Sequence, residues 1–130
     1  MDLNLTVLRL ASRLATHATA RQQLITENIA HADTPGYRAR DIGDFAATLG
    51  AAPACATRTT RPGPVAFGAG PGGFVAQETA ALGAETPNGN SVSLEDQMVR
   101  AAEVRQSHDM ALGVYGKSLE ILRTAIGRGR

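Results

Sequence analysis

Apolar residues recur along both ends of the chain at alternating four- and three-residue steps. From Ser93 onward, Leu94, Met98, Ala101, Arg105, His108, Leu112, Tyr115, Leu119, Leu122 and Ile126 follow the heptad spacing of a coiled-coil seam. The first thirty residues repeat it with Leu3, Val7, Leu10, Leu14, His17, Arg21, Leu24 and Asn28. Ser93 is placed to act as an N-cap. Glu95 and Asp96 fall in the first turn, where carboxylates favour the positive end of the helix dipole, and Arg123 and Gly127 stand where a helix ends. The pattern predicts one helix over 1–33 and another over 93–127, the latter about 50 Å long at 1.5 Å per residue. Each has a flanking apolar row, Leu8, Ala11, Ala15, Ala18, Ile25 and Ile29 in the first and Ala111, Val114, Ser118, Ile121 and Ala125 in the second. One partner helix cannot cover both rows.

The expected fold is therefore all-α, with two long terminal helices paired as an antiparallel coiled coil. Full-length pairing would bring the polar seam residues His17 and Arg21 level with Arg105 and His108. Long side chains in such a place are expected to turn their charged heads out to water.

Between the helices the pattern breaks twice. Pro35 lacks an N–H and pushes Thr34 out of the helical region, and Pro-Gly at the centre of Thr34-Pro35-Gly36-Tyr37 favours a type II turn with Gly36 at positive φ. Tyr37, Ala39, Ile42 and Phe45 then alternate with charged residues over 34–45, which suits an extended arm laid on the helices. From 46 to 92 the chain is rich in Ala, Gly, Thr and Pro, and reads as a flexible middle. Val65, Phe67, Phe74 and Val75 allow at most a short hairpin there. Asn88-Gly89 suits a turn with positive φ before the second helix.

Composition narrows the function. The 130 residues include 14 glycines and 6 prolines, and only 4% are aromatic, so a large compact core is not expected. A net charge of +1 gives no general attraction to nucleic acid or anionic lipid. Cys55 is the single cysteine, so no intrachain disulfide forms. Arg9 and Arg13 interrupt any secretory h-region, and no apolar run is long enough to span a membrane, which alone would make the chain cytoplasmic.

Candidate chemistry is thin. Gly68, Gly70 and Gly73 imitate a dinucleotide fingerprint, but Pro71 breaks the run and no helix opens after it. His17, His31, His108 and Cys55 lack metal-ligand spacing. Asp33, Asp41 and Asp44 sit beside Arg38 and Arg40, where charges are ordinarily solvated or paired. No enzyme activity, cofactor, metal, nucleic acid or small-molecule substrate is expected. Apolar faces left over after helix pairing instead point to assembly, since burying each Leu or Ile contributes roughly 1.5–3 kcal/mol. Heterologous contacts that do not close build filaments.

Three motifs carry a resemblance. The run Asn28-Ile29-Ala30-His31-Ala32-Asp33-Thr34-Pro35-Gly36-Tyr37-Arg38-Ala39-Arg40-Asp41, the stretch from Pro87 through Glu95 to Met98, and the ending Leu122-Arg123-Thr124-Ala125-Ile126 resemble the axial proteins of the bacterial flagellum, in particular the proximal-rod FlgB family. His31 stands where that family usually has asparagine. The resemblance covers roughly the first and last 45 residues and implies a structural subunit of the proximal rod, without catalysis. It implies self-association, contact with other rod subunits and with the inner-membrane ring and its rod adaptor, and export by the flagellar type III apparatus without a cleaved signal peptide. It thereby replaces the cytoplasmic default with a periplasmic rod location.

The expected assembly seam is Leu10, Leu14, Leu24, Met98, Leu112, Tyr115, Leu119, Leu122 and Ile126, and the expected signature turn is Asn28, Thr34, Pro35, Gly36 and Tyr37. A helical export chaperone or adaptor, binding a partner helix in the open seam, is the alternative. The fixed swing-out at Thr34–Tyr37 argues against it.

Overall fold

The computed structural model describes residues 2–50, 66–67, 74–79 and 86–127. Two long helices dominate it, α1 (Asp2–Ala30) and α3 (Leu94–Gly127). Between them lie β1 (Arg40–Ile42), a short α2 (Phe45–Gly50), β2 (Ala66–Phe67) and β3 (Phe74–Glu78). Cys55, Gly68, Gly70, Pro71, Gly73, Arg128 and Arg130 lie outside the described residues.

The end of α1 winds down rather than stopping sharply. The His31 N–H is shared between the Glu27 and Asn28 carbonyls, Ala32 N–H reaches Ile29, and Thr34 N–H reaches His31, a tightening into three-residue spacing. Pro35 then prevents another turn. Gly36 takes φ +71° and the Tyr37 N–H returns to the Thr34 carbonyl at 3.3 Å, as in a type II turn. Gly89 takes φ +75° in the second predicted turn, before α3. Ser93 Oγ approaches the Asp96 N–H at only 3.5 Å, a weak cap, but Glu95 and Asp96 still occupy the first turn. Arg123 stands just before the last turn of α3, which has no basic residue.

The chain is mostly helical with long terminal helices, as expected, but the all-α expectation gives way to a small three-stranded sheet of order β1-β3-β2. The short hairpin is present, with Ala66 opposite Val75 and Phe67 opposite Phe74. Its second strand also pairs antiparallel with the arm, placing Arg40 opposite Glu78 and Ile42 opposite Ala76. At three to five residues these strands carry too little periodicity to be distinguished from an arm.

Among the described residues the core has two separate parts. Ala20 and Leu24 of α1 pack with Ile42, Phe74 and Ala76 of the sheet. Ala18 and Ile25 pack with Val104 and Ala101 of α3. Complete burial of Leu24, Ile25 and Ile42 stabilises the fold by roughly 1.5–3 kcal/mol each.

Candidate assembly surface and its polar joint

Helix α3 turns small or polar residues toward the rest of the chain. Its buried residues are Gln97, Val104, Ala111 and Ser118, each seven after the last. On α1, Ala11, Ala18 and Ile25 keep the same interval and are also buried. Small side chains let two helix backbones approach closely, so this row makes the intrachain contact. The large apolar residues lie elsewhere. Met98, Leu112, Leu119 and Ile126 are 64%, 52%, 45% and 79% exposed, and Leu10 and Tyr115 are exposed as well. Of the predicted seam, only Leu24 is fully buried, while Leu14 and Leu122 are half-buried. As an intrachain seam the prediction is thus out of phase on α3. Weighting by side-chain size selected the outward row, because Ala111 and Ser118 looked like mere flanks.

The signature turn is fastened by two asparagines. Asn28, buried near the end of α1, donates through Nδ2 to the Arg40 carbonyl at 2.8 Å and to Gln97 Oε1 at 3.1 Å. Its Oδ1 accepts from the Arg40 N–H at 3.1 Å and the Tyr37 hydroxyl at 3.3 Å. The amide is fully used. Because Arg40 points its peptide groups away from β3, Asn28 occupies the outer edge of β1. Asn90 is the second fastening. Its Nδ2 lies 2.7–2.9 Å from the carbonyls of His31, Ala32 and Thr34, gathering the loose end of α1, while Oδ1 accepts from Val92 N–H at 2.8 Å.

Backbone bonds complete the joint. Gly36 N–H donates to the Asn88 carbonyl at 3.0 Å and Ser91 N–H to that of Tyr37 at 3.1 Å. Ser91 Oγ accepts from Ala39 N–H at 2.9 Å. A Cβ on Gly89 would stand 3.7 Å from Gly36 Cα, so the two positive-φ glycines meet face to face. His31 lies on the Tyr37 ring, centroids 4.6 Å apart and nearly parallel, with Nδ1 3.2 Å from Thr34 Oγ1. Thr34, Pro35 and Gly36 themselves are exposed.

The polar residues of the first seam do not turn out to water. His17 is buried, donating from Nε2 to the Gly43 carbonyl at 2.9 Å and packing edge-on against Phe74. Arg21 makes a two-pronged pair with Asp41, Nε to Oδ1 and Nη2 to Oδ2, both at 2.8 Å. Arg100 of α3 joins the same carboxylate at 2.7 Å and Asp96 at 2.9 Å. Burial pushes the Asp41 pKa up, but the bonds from Arg21 and Ile42 N–H and the nearby Arg100 charge outweigh it and hold it below the usual 3.8. The bond to Asp41 is also the main reason the Arg21 pKa is raised. Asp41 therefore has partners from α1 and α3, not from the adjacent Arg38 and Arg40. Arg40 pairs with half-exposed Glu27 at 3.2 Å.

Sequence reasoning missed Asn90, Gln97 and Arg100. Gln97 had a signal, since it begins the seven-residue row. Asn90 had none beyond its place in the Pro87–Met98 motif.

Among the described residues, no helix is long and apolar enough to cross a membrane. No family model matches the chain. It is 29% identical over 109 residues to the flagellar basal body rod protein FlgB of Agrobacterium fabrum, covering 78% of each chain. A 29-residue match to the FlgB of Salmonella typhimurium, 22% of this chain, reaches 66% identity. With the FlgB of Cereibacter sphaeroides the identity is 36% over 123 residues, spanning 88% of this chain and 93% of the relative, and the chain therefore belongs to the FlgB family of flagellar basal body rod proteins.

Proposed function

We propose that this chain is a structural subunit of the proximal rod, polymerising through its terminal helices to link the inner-membrane ring and its rod adaptor to the distal rod and to transmit torque. The observation that carries the reading is the outward row of α3. Leu94, Met98, Leu112, Leu119 and Ile126 are all more than 40% exposed, along a helix of 34 residues. Scattered apolar residues are ordinary on a surface, but a row of them on one long helix marks an interaction site. On α1, Leu5, Val7 and Leu10 are exposed as well.

The two helices pair as an antiparallel coiled coil in this reading. Asn28 near the end of α1 meets Gln97 near the start of α3, and Ala18 shares a cluster with Val104 further along. Pairing through small residues leaves the large ones for neighbouring copies and other rod subunits. The subunit reaches its place, outside the inner membrane, through the flagellar type III export apparatus. Nucleic acid, cofactors and small-molecule substrates have no part in it, and neither does catalysis.

Gene deletion with complementation tests the proposal. The deletion strain should lack the rod in electron micrographs of basal bodies, and the wild-type gene should restore it. If rods persist while one exported subunit is degraded in the cytoplasm, the chain is an export chaperone instead.

A further inference from the structure

The Asp41 carboxylate is held by two arginines from helices far apart in sequence. Arg21 Nη2 and Arg100 Nη1 both donate to the same atom, Oδ2, at 2.8 and 2.7 Å. Their side chains are only 20% and 12% exposed, and that of Asp41 is 10% exposed. Asp96 balances the second guanidinium, so the four groups are neutral together. Without Asp41, one negative group would face two positive ones. The guanidinium nitrogens cannot be farther apart than the sum of their distances to Oδ2, and like charges that close and that dry repel strongly.

The apolar packing around this group is divided in the same place. Ala20, Leu24, Ile42, Phe74 and Ala76 hold the sheet to α1, whereas Ala18, Ile25, Val104 and Ala101 hold α1 to α3, and the clusters share no residue. Asp41 also accepts from its own neighbour, the Ile42 N–H, at 2.8 Å. One carboxylate thus spans strand, first helix and third helix.

We propose that Asp41 is a clasp, and that loss of its charge lets the β1–β3 arm open as a unit while α1 and α3 stay paired beyond this level. Once the carboxylate is neutral the arm is no longer drawn to Arg21 and Arg100, and the two half-dry guanidiniums gain by letting water in where Asp41 stood. The opened state uncovers Leu24 and Ile42, giving the subunit a second apolar surface distinct from the outward row of α3. The inference does not rest on the rod reading, since it concerns the isolated chain.

Hydrogen exchange on the full chain at neutral pH is the test. In the wild type, the amides of Ala39, Ile42 and Thr79 should be protected. In Asp41→Asn they should exchange about tenfold faster or more, with amides from Ala111 to Ser118 changing less than about twofold. Asp41→Asn combined with Arg100→Gln removes the repulsion and should return the arm to within about threefold of wild type. Unprotected arm amides in the wild type, an unchanged arm in Asp41→Asn, equal loosening of arm and helices, loss of the helical signal, or no rescue by Arg100→Gln would each overturn the clasp.

Discussion

Asn90 is one side chain on which three carbonyls depend. Replacing it with Ala leaves the carbonyls of His31, Ala32 and Thr34 without that donor and Val92 N–H without its acceptor. The Val92 N–H is buried, and leaving such a group unpaired costs about 1–3 kcal/mol, so Asn90→Ala should lower stability by about 1–3 kcal/mol in urea titration at an unchanged slope. Gly36→Val is a cleaner test of backbone strain. An added Cβ meets no atom within 4 Å beyond the neighbouring residues, yet φ is +71°, so the expected loss of about 1–2 kcal/mol comes from backbone conformation rather than a clash at Cβ. A variant as stable as wild type by the same titration would mean that this turn tolerates an L side chain. Both turn glycines were legible in the sequence because Pro-Gly and Asn-Gly announce positive φ locally. Asn90 was not, because its role depends on carbonyls 56 to 59 positions away.

At the scale of elements, the two faces of α3 make opposite predictions. Leu119 is 45% exposed, so Leu119→Asp should change the stability of the free subunit by no more than about 0.5 kcal/mol while preventing rod formation, read by motility and by electron microscopy of basal bodies. Ala111 is 1% exposed, and Ala111→Leu should destabilise the subunit itself by about 1–3 kcal/mol through overpacking. Equal effects on the isolated chain would mean that the faces are misassigned. The helices were legible because heptad stepping persists over many turns. Their phase was not, because large apolar residues are the strongest core signal in a monomer, whereas here the α3 row has one valine among glutamine, alanine and serine. The sheet was only partly legible. A hairpin could be anticipated from Phe67 and Phe74, but pairing of β3 with Arg40–Ile42 joins residues more than thirty apart, with no local mark.

For the molecule as a whole, stability should be concentrated at the joint. Leu24, Asn28, Ile42 and Gln97 are among the most buried side chains, while Leu5 and Ile126, toward the two ends, are 58% and 79% exposed. Hydrogen exchange of the dilute monomer should therefore show protection falling from the joint toward both termini, with broad rather than sharp thermal melting. Acid should act on that joint. Because the folded-state pKa of Asp41 is depressed, its contribution is complete above 3.8 and disappears as the pH falls below 3.8 toward the lowered value. Urea midpoints should drop over that range in the wild type, and Asp41→Asn should remove that part of the drop.

The amide of Asn28 has a consequence for how such chains behave when crowded together. A bare strand edge offers unpaired peptide groups to any neighbour and seeds cross-β aggregates. Here Asn28 answers both outward groups of Arg40, and the Asp41 carboxylate answers the N–H of Ile42. This edge imitates a strand that already has its neighbour. In the proposed rod, where copies would stack, the chain can thus carry a sheet beside its helices without that edge nucleating amyloid. Asn28→Leu should expose the difference as thioflavin-positive fibrils at concentrations where the wild-type chain stays clear.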